Sequence, residues 1–314
     1  MIADRILPLF VGFFGVMAVG VLLRYTLRGP VNAATLAPAL TLVIVDVTAP
    51  ALTLDVLLRT RIPASLLVTL LPATAALVAM LALTLAAGRA AKLPRAQLGA
   101  VAMTGSFSNT GFVGIPLIQG IFADDARGAQ AAVVIDACDT TLLLWTLGLA
   151  VAARFGDAPG ARGGLGALLR KPITWAVLAG FALNAAGVTM PPWLHPGVER
   201  LGAATGPLVF LTLGLAVDAA KLRGRAAVIA ATVFARLALS PAVALGVALA
   251  MGLRGPVAIA AVLQAAMPSA LVSVVIATQQ GCDGALASAI ATAGMLLAPL
   301  TLPVWIAVTG ALLG

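Results

Sequence analysis

Charged side chains make up only 10% of this 314-residue chain, against about 25% in soluble domains. Too few charges are present to cover the surface of a water-soluble globule of this length. Cysteine occurs twice, at Cys138 and Cys282, and histidine once, at His195. Two thiols do not make a disulfide framework, and no Cys/His spacing builds a zinc site. His195 has no ligand partner near it in sequence and reads as a loop residue. The chain lacks a Gly-X-Y period, which excludes collagen, and its low charge excludes disorder. It also lacks a Walker-type phosphate loop, so no ATP-hydrolysing site is expected. No cofactor is expected beyond a coupling proton or sodium ion.

Apolar residues are abundant, at 61% of the chain, and mean hydropathy is +1.10. That composition predicts an all-α polytopic membrane protein, with the lipid bilayer as its solvent. The 32 glycines and 19 prolines fit, because membrane helices tolerate both. The net charge of +8 would suggest nucleic acid in a soluble protein. Here the basic residues sit in short loops between apolar runs, so they report membrane orientation and no nucleic acid is expected.

A hydrocarbon core of about 30 Å needs about 20 apolar residues per spanning helix. By that measure ten spans are predicted, at 6–27, 34–57, 64–87, 96–122, 128–153, 173–190, 199–219, 226–252, 256–279 and 284–312. The first run has a weak basic start, with Asp4 offsetting Arg5, and no small-residue cleavage site closes it. It reads as a span and not as a signal peptide. The linker 154–172 divides the chain into two five-span halves, 1–153 and 173–314. One set of loops carries Arg24, Arg28, Arg89, Lys92, Arg95, Arg154, Arg162, Arg170, Lys171, Lys221, Arg223 and Arg225. The opposite set, with the N-terminus, carries Arg5, Arg59, Arg61, Arg127, Arg200 and Arg254. The richer set belongs in the cytoplasm, which predicts an inner-membrane protein with both termini on the non-cytoplasmic side.

The halves show a faint repeat. Leu52-Thr-Leu-Asp55 precedes Arg59-Thr-Arg61, and Leu215-Ala-Val-Asp218 precedes Arg223-Gly-Arg225. Pro50 and Pro207 lie upstream of the two copies. Five spans, an odd number, separate the copies, so the second half inserts in the opposite orientation. Inverted repeats of this kind build many secondary transporters. Asp55 and Asp218 themselves read as boundary residues beside basic loops.

Two spans are interrupted at their centres. Span four reads Thr104-Gly-Ser-Phe-Ser-Asn109-Thr110-Gly111-Phe-Val-Gly114-Ile-Pro116, and span nine reads Gln264-Ala-Ala-Met-Pro268-Ser269-Ala-Leu-Val-Ser273. Polar residues, glycine and proline at the middle of an apolar run predict broken helices. Interrupted segments at corresponding places in two halves point to a transporter binding site, although paired proline kinks would look alike. Half-helix N-termini near Gly111 and Ser269 would offer free N–H groups and positive dipole ends to an anion. Asn109, Thr110, Ser269 and Ser273 would orient it, with Gln264 beside them.

Four ionisable residues fall inside spans: Asp46, Asp136, Asp139 and Arg236. Charges at this depth are costly and either functional or paired. Asp136 and Asp139, three apart, are read as sharing a face, with Thr140 beside them. Arg236 is expected to neutralise one carboxylate, leaving the others for proton or ion coupling. The alternative is a charge network that only holds the bundle together.

At the broken spans the sequence resembles the auxin efflux carrier family. Asn109-Thr-Gly-Phe-Val-Gly-Ile-Pro116-Leu is similar to its fourth-helix motif. Ala265-Ala-Met-Pro268-Ser-Ala, followed by Gly281-Cys-Asp283, is similar to its ninth-helix motif. The resemblance implies a fold like that of the bile-acid symporters and sodium/proton antiporters, in which a scaffold and a mobile transport part meet where helices four and nine cross. It implies Asn109, Pro116 and Pro268 at the substrate crossover, and substrates such as malate, malonate or auxin. A homodimer is a further implication, and the short central loop matches bacterial members.

Secondary transport of a small organic anion is therefore the leading expectation. Cation/proton antiport on the intramembrane aspartates is the alternative. An intramembrane aspartyl protease would need a Gly-x-Gly-Asp motif, which the sequence lacks, so no enzyme is expected. A non-transporting sensor is the remaining reading. The charge asymmetry makes a direct prediction: reporters after Gly314 and in the Pro191–Glu199 loop should both lie outside the cytoplasm. A cytoplasmic C-terminal reporter together with an external Arg162 loop would reverse the orientation.

Overall fold

The computed structural model of the chain describes residues 2–59, 64–122, 125–158, 172–216 and 224–314. These fold into helices: α1 (Ile2–Thr26), α2 (Ala33–Arg59), α3 (Leu66–Ala90), α4 (Arg95–Ser106), α5 (Thr110–Ile121), α6 (Arg127–Phe155), α7 (Pro172–Ala185), α8 (His195–Leu215), α9 (Ala226–Ala250), α10 (Gly255–Ala266), α11 (Leu271–Gln279) and α12 (Gly284–Leu313). Among the described residues there is no strand, only an isolated antiparallel pair, Ser108 with Ser269. Six of the helices, α2, α3, α6, α8, α9 and α12, are long and apolar enough to cross a membrane. The architecture is that of an all-helical polytopic membrane protein. Spans four and nine divide as expected, into α4/α5 and α10/α11, with both first halves 12 residues long.

Local chemistry explains the helix boundaries. Asn32 opens α2 with a capping box: its side chain accepts from Ala34 N at 2.9 Å and Thr35 N at 3.2 Å, while Thr35 Oγ1 accepts from Asn32 N at 3.0 Å. Such a box satisfies donors that the first turn leaves free. Asp125 and Asp283 do similar work ahead of α6 and α12. Asp283 also accepts from Arg225 Nη1 at 2.8 Å, which ties the start of α12 to that of α9.

Three helices contain a single π-helical turn, and each turn is followed two residues later by proline. The turns are Ile44–Thr48 before Pro50, Thr110–Gly114 before Pro116, and Ala235–Leu239 before Pro241. Proline has no N–H, so the carbonyl four residues back loses its helical partner. The chain widens locally, and the residue before each proline bonds five residues back: Ala49 N to Ile44 O, Ile115 N to Thr110 O, and Ser240 N to Ala235 O. The carbonyl freed by Pro241 belongs to Leu237, and the Trp305 indole donates to it at 2.8 Å. A longer π-helical run, Asp136–Gly148, lies within α6. Pi turns are uncommon and concentrate at functional sites.

The helices pack as two groups. One contains α1, α2, α7 and α8; the other contains α3 to α6 and α9 to α12. Each group draws on both halves of the chain, so the packing units differ from the sequence halves. Within the first group α1 and α8 touch through glycine. A Cβ on Gly20 would stand 2.3 Å from Leu211 O, and one on Gly214 would stand 2.2 Å from Met17 O. Close backbone approach of this kind gives dispersion contact where lipid supplies no hydrophobic drive.

Several expectations need adjustment. His195 starts α8 and its Nε2 lies 3.4 Å from Asp55 Oδ1. Asp55 also pairs with Arg59 at 2.7 Å, and Arg59 with Glu199 at 2.9 Å, joining the end of α2 to the start of α8. Asp218, the second copy of the repeat's aspartate, lies outside the described residues. So do Arg61, Arg162, Arg170, Lys171, Lys221, Arg223 and most of the 154–172 linker.

The glycine contact carries a prediction. Gly214→Ala should lower the melting temperature in detergent, by the about 1–3 kcal/mol typical of overpacking. Gly246→Ala, where a Cβ meets nothing within 4 Å, should be close to neutral. Equal melting curves for the two variants would show that α1 and α8 do not rely on that approach.

Candidate functional site

The two breaks cross and hydrogen-bond to each other through backbone. Asn109 N donates to Pro268 O at 2.8 Å, and Ala270 N donates to Phe107 O at 2.8 Å. Ser269 Oγ donates to Thr104 O at 2.7 Å. Extended chain at Phe107–Asn109 and Met267–Ala270 would otherwise present unpaired peptide groups to hydrocarbon, at several kcal/mol each. Each break thus satisfies the other.

Beyond the breaks, α5 and α11 begin, and their first turns face one cavity of about 120 Å³. Gly111 and Phe112 line it from α5, and Leu271 and Val272 from α11. Asn109 stands at its edge, 2% exposed. Its Nδ2 has no hydrogen-bond partner among the described residues, nor does Oγ1 of Thr205 across the cavity. Thr53 and Leu52 of α2 close the far wall, and Trp145 of α6 lies beside them. The cavity therefore sits between the two packing groups.

A second cavity, of about 650 Å³, lies between the same groups toward the end of the bundle that holds Arg24 and Asn32. It is lined by the first part of α2, by α8, and by Val274, Val275 and Thr278 of α11. Leu271 borders both cavities.

The intramembrane carboxylates diverge. Asp136 accepts from Thr110 Oγ1 at 2.6 Å and reaches the crossover cavity. Thr110 Oγ1 also contacts Thr140 Oγ1, whose hydroxyl donates to Ser108 O at 3.4 Å. Gly111 is packed closely here: a Cβ would lie 3.0 Å from Asp136 Oδ1. Asp139 instead accepts from Thr74 Oγ1 of α3 at 2.7 Å. Each carboxylate is 6% exposed. The two lie three apart in the π-helical run of α6, and their hydrogen-bond partners come from different helices. Asp46 lies in the π turn of α2, which packs on α7 and α8, and does not line either cavity.

Arg236 also departs from expectation. Its hydrogen-bond partners are not carboxylates. Nη1 donates to Ser106 O at 2.7 Å, and Nη2 to Ala265 O and Ser240 Oγ. Gln264 Nε2 donates to Ala132 O at 2.9 Å, and its Oε1 packs where a Gly114 side chain would be. The hydroxyl of Ser273 is committed to Ala270 O at 2.6 Å. Pro116 lies a turn beyond the break and shapes the π turn, while Pro268 supplies a carbonyl to the crossing. Of the residues singled out in sequence, Asn109, Gly111, Asp136 and Thr140 face the 120 Å³ cavity. Thr110, Gln264, Pro268, Ser269 and Ser273 stand behind it as supports. Thr205, Thr53 and Trp145 were missed. Thr205 lies two residues before Pro207, a weak signal, and the other two resemble ordinary lipid-span residues.

Comparison with known proteins follows the same lines. The profile of the membrane transport protein family matches residues 15–157 and again 165–306. An uncharacterised transporter of Methanothermobacter thermautotrophicus is 31% identical over 198 residues, covering 63% of this chain and 63% of that protein. An uncharacterised transporter of Methanocaldococcus jannaschii is 27% identical over 204 residues, covering 61% and 62%. Each match spans under two thirds of the relative's length. With two profile matches in tandem and an all-helical fold with six helices long and apolar enough to span a membrane, the chain belongs to the membrane transport protein family, the auxin efflux carriers, and is a multi-pass membrane protein.

Proposed function

We propose that the chain is a secondary transporter that moves a small organic anion by alternating access at the crossing of its broken helices. One observation carries the reading. The N-terminal turns of α5 and α11 line a single cavity beside an unpartnered Asn109 amide. Helix N-termini carry about half a positive charge each and present free N–H groups. No lysine or arginine lines that cavity, so a carboxylate there would be held by backbone donors and oriented by Asn109 and Thr205.

The ten expected spans fit this reading as two inverted five-helix repeats, with α4/α5 and α10/α11 as corresponding broken elements. The group of α1, α2, α7 and α8 serves as scaffold, and the other group moves against it. The 650 Å³ cavity lies on the side of the Arg24 loop, which the charge asymmetry assigns to the cytoplasm, so the conformation is open inward. Leu271, at the border of both cavities, separates the site from that vestibule. Cation/proton antiport on the aspartate pair is less well supported, since Asp136 and Asp139 turn to different helices.

Asp136 borders the anion cavity and would repel a second negative charge in so small a space. The anion is therefore taken up together with one proton on Asp136. Affinity of purified protein for a carboxylate should rise as pH falls, and in Asp136→Asn the pH dependence should flatten. An unchanged pH profile in that variant would remove Asp136 from coupling. Asp139→Asn, which faces Thr74, should alter the profile less.

Asn109 tests the site itself. A hydrogen bond to a charged group is worth about 1.5–3 kcal/mol, so Asn109→Ala should weaken carboxylate binding roughly ten- to a hundredfold. Asn109→Asp should be worse, because it adds a negative charge. Calorimetric titration over a panel of mono- and dicarboxylates reads both. Unchanged affinity in both variants would move the site away from the crossing, and tighter binding of a cation in Asn109→Asp would favour the antiport reading.

A further inference from the structure

Arg236 lies outside the 120 Å³ cavity, at the ends of α4 and α10. It is the largest fully buried side chain among the described residues, at 1% exposure. A guanidinium in a membrane interior needs strong compensation. No ion pair to Arg236 occurs among the described residues. Its two terminal nitrogens donate to helix-end carbonyls, while Nε has no hydrogen-bond partner among the described residues. Ser106 is the last residue of α4 and Ala265 the penultimate residue of α10; Arg236 holds the carbonyls of both, and Ser240 Oγ reinforces the second at 3.0 Å.

These carbonyls are the negative ends of two helix dipoles. Each end is equivalent to about half a negative charge, so two together match one guanidinium. In transporters with broken helices, such half-helix C-termini and unwound carbonyls are where a coupling cation is coordinated. Here that position is occupied by covalently attached charge. The space left beside Arg236, bordered by Ser108, Asp139 and Gln264, is about 10 Å³, at most the room for one water.

We propose that Arg236 is a resident cation that takes the place of a coupling metal ion at the crossover, so that this transporter works without sodium. The proposal rests on the transporter reading for its meaning, but its mechanism concerns only the two half-helix C-termini. With those ends neutralised from within, the positive ends of α5 and α11 are left to act on the substrate anion, and ion coupling is confined to protons on the aspartates.

The test uses the purified full chain and needs no substrate. The melting temperature of the unsubstituted protein should be the same in sodium, potassium and choline chloride at equal ionic strength. A stabilisation specific to sodium would overturn the proposal. Arg236→Ala should melt lower and recover at least half of the loss when guanidinium ion, with or without sodium, is added; Arg236→Lys should fall between. A folded Arg236→Ala that responds to neither cation would also overturn it, and if that variant does not fold, the three-salt comparison on the unsubstituted protein decides. Carboxylate uptake into proteoliposomes should differ by less than twofold between sodium and choline media, and tenfold dependence on sodium would reject the idea. Failure of all uptake, with the melting results as expected, would count against the anion-transport reading and leave Arg236 as the resident cation.

Discussion

Hydrocarbon offers no hydrogen bonds, and two helices of this protein nevertheless stop halfway across it. The whole centre of the molecule answers that constraint. Phe107 and Asn109 pair with Ala270 and Pro268 across the crossing, so each broken strand of backbone finds the other. The carbonyls at the ends of α4 and α10 turn to Arg236. The N–H groups at the starts of α5 and α11 turn to a cavity. Negative ends are closed by a side chain while positive ends are left open, and the proposed preference for an anion rests on that asymmetry.

The supporting shell is built from small committed hydrogen bonds. Ser269 and Ser273 spend their hydroxyls, and Gln264 its amide N–H, on backbone carbonyls. Gln264 lies where a side chain on Gly114 would be, and Asp136 packs closely against Gly111. These residues make the crossing rigid, which is what a site held by backbone donors requires, since its geometry is only as good as the helices that present it.

Pi-helical turns run through the functional centre. All four intramembrane ionisable residues, Asp46, Asp136, Asp139 and Arg236, lie in π-helical segments. A π turn re-aims the side chains that follow it and leaves a carbonyl to be satisfied from outside. Around Leu237 that outside partner is Trp305, from α12. The same device lets Arg236 reach two helix ends and turns Asp136 and Asp139 to different neighbours.

Much of this was legible in the sequence. Low charge and long apolar runs determined the membrane class, because nothing else disposes of so many apolar residues. The polar, glycine- and proline-bearing centres of spans four and nine determined where the helices break, because proline removes a donor wherever it stands. Asn109, Gly111 and Asp136 were found because amides, glycines and carboxylates are rare inside spans. Only the tertiary structure decided their surroundings. The partner of Arg236 was misread because a sequence displays carboxylates as ready counter-charges but does not display helix-end carbonyls, whose half charges exist only once the helices have formed and ended beside one another. Asp136 and Asp139 were read with α-helical spacing, and the π winding of their segment and their partners on two different helices appear only in the packed structure. Thr205, Thr53 and Trp145 reached the cavity because α2, α6 and α8 pack there, and no local pattern records which helices become neighbours.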